Sequence, residues 1–216
     1  MRVSKYGDDA RRQCEWLQQL PGRNRPSGIA ISQAGCSYNF VEGRPPTSWA
    51  IVRASAYNAI WKQSGPMLDR DRPAYLDYSR QAMRDTMDQG YHPQIERALS
   101  YILVDYLHPV AACHGDLTFA NCIQTRDDTI VFIDPGHHRG LPCEELDTAK
   151  ILQSLDGFGV VYRGWAQPQA FPKMPTRRIH WVLLMTHYLR LLRHVTHEPS
   201  LKFARRRIVE ISGLWA

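Results

Sequence analysis

The chain of 216 residues is 44% hydrophobic and 22% charged, the composition of an ordinary globular protein long enough for one domain or two small lobes. Lys and Arg outnumber Asp and Glu by 27 to 21, a net charge of +6 that favours anionic ligands such as nucleotides but more often marks a solvated surface. Five cysteines without a CxxC pair, no apolar run near the roughly 20 residues of a membrane span, and an N-terminus (MRVSKYGDD) lacking a signal-peptide core argue against a secreted disulfide framework or membrane anchor and for a reducing cytoplasm.

Residues 1–6 (MRVSKY) read as a short strand. Asp8 or Asp9 then caps a helix over 10–20, where Cys14, Leu17 and Leu20 recur near a period of 3.6, and Pro21 and Gly22 end it. Ile29 to Ser32 and Cys36 to Glu42 form two short strands joined by Gln33-Ala34-Gly35. The breaker segment GRPPTS (43–48) separates this part, residues 1–45, from a mainly helical remainder, residues 46–216. Helices are predicted over 49–63, 73–89 and 93–107. A hairpin follows, with strands at 121–124 and 129–133 around the turn TRDD (125–128). Further helices are predicted over 144–156, 177–196 and 199–212. There is no internal repeat and no low-complexity segment.

The residues that carry chemistry flank the hairpin. Phosphoryl transfer needs a carboxylate to orient the acceptor hydroxyl, oxygen ligands for magnesium, and a cation on the phosphates. Asp116 lies in a loop after a helix, Asn121 follows five residues later, and Asp134 stands eighteen after Asp116, at the end of the second hairpin strand. A hairpin of this length brings its ends together, so Asn121 and Asp134 can share one Mg2+ while Asp116 faces the acceptor. His114 has neither CxxC nor HxxxH spacing around it, with Cys113, His137, His138 and Cys143 nearby, so zinc is not expected. Its expected role is to bond backbone carbonyls and hold the loop of Asp116.

HGDLTFAN (114–121) followed by VFIDPG (131–136) resembles the catalytic loop and metal-binding turn of the aminoglycoside phosphotransferase and choline kinase branch of the protein-kinase-like superfamily. LDTAKILQSLDG (146–157) is similar to the family segment that follows. The resemblance implies an α+β, two-lobed kinase-like fold with a small N-lobe (1–45) and a helical C-lobe (46–216). It implies ATP or GTP as donor with Mg2+ as cofactor, Asp116 as the catalytic carboxylate, Asn121 and Asp134 as metal ligands, and Asp147 as a brace for the catalytic loop. Lys5 would hold the phosphates and Glu15 would pair with it, while backbone groups of Phe40, Val41 and Glu42 would meet adenine at the hinge. One departure stands out: the first two N-lobe strands and their glycine loop have no counterpart, and Gly28 and Gly35 do not rebuild it. Either a partner chain completes the lobe or a minimal lobe suffices.

The acceptor expected from this branch is a small-molecule hydroxyl on a sugar, amino alcohol or aminoglycoside. Trp165, Trp181 and Tyr188 fall where such an acceptor pocket would form, though core packing explains them equally. Glu144 and Glu145 suit either a cationic acceptor or a helix N-terminus. A catalytically degenerate nucleotide-binding regulator is the alternative from another class. A Ser/Thr protein kinase is disfavoured by Gly115 where such kinases carry Arg. Nucleic acid is not expected, because Arg205-Arg206-Arg207 lacks an aromatic platform.

Overall fold

The computed structural model describes residues 1–46, 48–61, 96–97, 100, 112–136, 143–163 and 176–214, in a mixed α+β arrangement. The chain divides into two compact units, residues 1–64 with 110–142 and residues 65–109 with 143–216. The segment 43–48 falls inside the first unit, where the backbone of Arg44 bonds that of Gln124 in the predicted hairpin. The helix predicted over 73–89, and all but three residues of that over 93–107, lie outside the described residues.

In the first unit, β1 (Arg2–Tyr6) alternates exposed and half-buried positions, turning Val3 and Lys5 inward. It pairs antiparallel with β3 (Gly35–Asn39), which also pairs with β2 (Ala30–Ser32), giving the sheet order β1-β3-β2. Between β1 and β2, α1 (Asp8–Gln19) carries Asp8 and Asp9 in its first turn, where the helix dipole favours carboxylates. Ala10, Cys14 and Leu17 form its buried face, and the first two pack with Cys36 and Tyr38 of β3 in a core that Val3, Ile29 and Ile31 close.

A disulfide joins Cys14 to Cys36, tying α1 to β3. No local pattern pairs them, since positions 14 and 36 become neighbours only once the helix lies on the sheet. This departs from the expectation of fully reduced cysteines. Cys113, Cys122 and Cys143 remain thiols.

The hairpin consists of β4 (Cys122–Gln124) and β5 (Ile130–Phe132), as the two apolar runs around TRDD predicted. Its turn is set by Asp127, which accepts from the hydroxyls of Thr125 and Thr129 at 2.5 and 3.1 Å. Two stitches fasten it within the unit. The buried Asn24 side chain donates to the Ile130 carbonyl at 2.9 Å, and Arg44 and Gln124 exchange backbone hydrogen bonds of 3.0 and 2.8 Å. Ser48 accepts from the Ala50 N–H and so caps α2 (Trp49–Ala56), which runs on into a π-helical turn, Tyr57–Trp61.

The second unit contains α3 (Glu144–Leu155), α4 (Phe158–Arg163), α5 (Arg178–His194) and α6 (Glu198–Gly213). Residues 182–189 of α5 are buried without interruption, so this helix is packed on all sides rather than amphipathic. Asp156, at the end of α3, joins three helices: it accepts from the Tyr188 hydroxyl at 2.7 Å and from Arg207 Nε and Nη2 at 2.8 and 2.7 Å. Burial, and then the Asp156 charge, pushes the Tyr188 phenol well above its ordinary pKa. Among the described residues no helix is long and apolar enough to cross a membrane.

Candidate functional site

The loop that carries Asp116 is built on His114, which is fully buried. The Asp116 N–H points at His114 Nδ1 over 3.3 Å, and His114 Nε2 lies 2.9 Å from the Ile133 carbonyl. Only a neutral ring with its proton on Nε2 satisfies both contacts. His114 therefore links the loop to the end of β5. The Trp16 ring meets it edge-on at 5.5 Å.

A second link runs backward, from the Gly136 N–H to the His114 carbonyl at 2.8 Å. A Cβ on Gly136 would lie 2.8 Å from the carbonyl carbon and oxygen of Gly115 and 3.1 Å from the Asp116 nitrogen. Position 136 thus needs glycine for the two segments to touch. Both segments also adopt left-handed backbone, at Gly115 (φ 76°) and at Asp134 (φ 52°). For a non-glycine residue this conformation is uncommon and tends to cluster at ligand clamps.

Asn121 is buried and braces Asp116. Its Nδ2 donates to the Asp116 carbonyl and to Oδ2, each at 2.8 Å, and its own carbonyl accepts from the Ile133 N–H at 3.0 Å. Its side-chain oxygen accepts no hydrogen bond among the described residues. With the Asp134 carboxylate this gives two hard oxygen donors of the kind Mg2+ takes, its remaining shell normally being water and phosphate oxygens.

Lys5 reaches the same turn from β1, 129 residues away in sequence. Its ammonium pairs with Asp134 Oδ1 and also donates to the Gln13 side chain at 3.2 Å. The Tyr38 hydroxyl, on the adjacent strand, donates to the same Asp134 oxygen at 3.3 Å. Burial, followed by the Asp134 charge, raises the Tyr38 pKa far above the ordinary phenol value. Asp134 is thus held by a cation and a neutral phenol at once.

The Lys5–Glu15 pair implied by the resemblance does not form. With Cys14 turned to the sheet, Glu15 lies on the outer side of α1 and pairs with Arg11 at 3.1 Å. Gln13 takes the place beside Lys5, and neither it nor Tyr38 stood out in the sequence. The Phe40 N–H is used by the Met1 carbonyl at 2.9 Å, whereas the backbone groups of Val41 and Glu42 make no hydrogen bonds among the described residues. Glu42 pairs through its side chain with Arg126 at 2.8 Å and lines a cavity of about 330 Å3 with Gly43, Arg44, Gln124 and Asp128.

Asp147 is fully buried on α3 in the second unit. Glu145 is also buried, and Arg177 Nη1 bonds it at 2.9 Å, so it acts within that unit rather than as an open site for a cationic acceptor. Tyr188 is a core residue held by Asp156, and Trp181 donates to Thr176 at 3.2 Å. Arg207 is committed to Asp156, while Arg205 and Arg206 are exposed. His137, His138 and Trp165 lie outside the described residues. No family model matches the chain, and no curated protein matches it significantly.

Proposed function

We propose that the chain is a kinase-like phosphotransferase that moves the γ-phosphoryl group of ATP or GTP to a hydroxyl of a small molecule. The observation that carries this is the ion pair between Lys5 and Asp134, which unites a strand cation with the turn carboxylate beside the loop of Asp116. Those are the three components phosphoryl transfer requires.

In this scheme Asp116 accepts the proton of the acceptor hydroxyl as its oxygen attacks the γ-phosphorus and the bond to the β-phosphate oxygen breaks. Asn121 restrains the Asp116 carboxylate by bonding Oδ2. His114 keeps the loop in place and, being neutral with Nδ1 already accepting, is not the base. Lys5 turns its ammonium to the phosphates. Mg2+, held by Asp134 and the Asn121 amide oxygen, would neutralise charge on the phosphate oxygens. Positioning and charge neutralisation supply the catalysis, with no covalent intermediate. Among the described residues β1 pairs only with β3, so its outer edge can take a strand from a partner chain that extends the nucleotide side.

The test is transfer from γ-labelled ATP with Mg2+ to pools of sugars, amino alcohols and aminoglycosides. Asp116→Asn should lower transfer by about 10²–10⁴-fold with nucleotide binding retained. Asp134→Ala should weaken metal-dependent binding as well. Unchanged turnover in both variants rules the proposal out, and nucleotide binding without any transfer favours the regulatory alternative.

A further inference from the structure

We propose that the Cys14–Cys36 disulfide is a redox control on the Lys5–Asp134 cluster. Its effect on turnover rests on the phosphotransferase proposal; its effect on the cluster does not.

The bond lies where the three elements that set Lys5 meet. Cys36 is the cross-strand partner of Lys5 in the β1–β3 register. Cys14 follows Gln13, whose side chain accepts from the Lys5 ammonium. Tyr38 lies two residues beyond Cys36, on the same face of β3, and reaches Asp134. Clamping α1 to β3 thus fixes at one point the amide, the phenol and the strand that aim Lys5 at Asp134.

The reduced form is also provided for. Cys36 Sγ lies 3.0 Å from the Ala10 carbonyl, so a thiol formed there has an acceptor for its S–H within the same core. Ala10 is on α1, and this weaker contact would replace a covalent tie between helix and sheet. Both cysteines are buried. A reductant reaches them when α1 lifts from the sheet, and occupation of the cluster should oppose that opening.

The chemistry is thiol–disulfide exchange with an external dithiol. Its thiolate attacks one sulfur, the S–S bond breaks, and the mixed disulfide resolves as the dithiol closes to its own disulfide. Two electrons and two protons pass to the protein, leaving two cysteine thiols.

The test begins with full-length protein equilibrated with oxidised glutathione, alkylated during unfolding and digested. Cys14 and Cys36 peptides should be recovered as one linked species; recovery of both as alkylated thiols overturns the proposal. Amide hydrogen exchange is then compared before and after dithiothreitol. Residues 2–19 and 133–136 should exchange on the order of tenfold faster once the cross-link is reduced. A Cys14→Ser/Cys36→Ser variant should match the reduced protein and ignore dithiothreitol. MgADP should bind the oxidised protein severalfold more tightly and slow its reduction. Unchanged exchange in 133–136 overturns the proposal, as does equal MgADP affinity in the two states. If exchange responds but MgADP binds neither state, the control of the cluster stands and the phosphotransferase proposal fails.

Discussion

Gly136→Ala is the sharpest perturbation of the contact between the loop of Asp116 and the IDP turn. The added Cβ would lie 2.8 Å from the carbonyl carbon and oxygen of Gly115, both backbone atoms that no rotamer change can move. Carbon contacts are comfortable at about 3.5–4.0 Å, so the segments must part by roughly 0.7 Å or more. Overpacking of this kind costs about 1–3 kcal/mol, and weakening the 2.8 Å bond from Gly136 to the His114 carbonyl adds about 1 kcal/mol. Alanine restricts the unfolded chain and returns about 0.4–1 kcal/mol. The net expectation is a loss of about 1–3.5 kcal/mol in urea unfolding at unchanged m-value. Gly22→Ala is the control, because nothing lies within 4 Å of its added Cβ. Under the proposed function, displacing Asp116 by this amount should also lower transfer by about 100-fold. A Gly136→Ala protein within about 0.5 kcal/mol of wild type would refute the steric reasoning.

Tyr38→Phe removes a phenol whose pKa is raised by burial and by Asp134. A group raised in the folded state contributes stability that is present below its unfolded pKa, about 10, and is lost as pH climbs toward the folded value. Wild-type stability should therefore fall above about pH 10, and Tyr38→Phe should show a shallower fall, part of the decline remaining with Tyr188. Identical slopes in urea unfolding across the alkaline range would refute this. Arg207→Leu strips the bidentate partner from Asp156, whose side chain is 11% exposed, leaving the carboxylate one phenolic donor. The expected loss is about 3 kcal/mol. Arg207→Lys should recover only part of it, because an ammonium cannot make the fork. A loss below about 1 kcal/mol for Arg207→Leu would mean that the pair is solvated rather than structural.

What the sequence made legible was whatever depends on near neighbours. The hairpin at 122–132 followed from two apolar runs around a turn, and α1 from a 3.6-residue stripe. What it concealed depends on register between distant segments. Tyr38 meets Asp134 because β3 pairs with β1 at Val3↔Tyr38 and Lys5↔Cys36, a register no local pattern fixes. Gln13 carries no charge to mark it as a partner for Lys5, whereas Glu15 does. The turn of α1 that buries Cys14 is what points Glu15 away. Position 136 needs glycine because the backbone of Gly115 packs against it, a contact between distant segments that no local pattern marks.

The charges at Asp134 lead to a prediction about how ligands enter. Lys5 and Asp134 neutralise each other, with side chains 23% and 43% exposed, so neither is fully desolvated. Phosphates arriving alone would draw Lys5 away and leave Asp134 facing another anion, with only the Tyr38 hydroxyl to hold it. Mg2+ arriving alone would take the Asp134 carboxylate and set a dication beside Lys5. Each half-occupied state therefore carries an unbalanced charge that the fully occupied state removes, and the two ligands should bind with positive coupling of about 1–3 kcal/mol, or roughly 5–150-fold. Partial exposure puts the value toward the lower end. Calorimetric titration of ADP with Mg2+ and with a chelator measures the coupling. Lys5→Met should reduce it, since the cation that repels the metal is gone, while Asp134→Asn should nearly abolish it. Equal ADP affinity with and without Mg2+ would mean that the Lys5–Asp134 pair is a structural bridge and that the phosphates bind elsewhere.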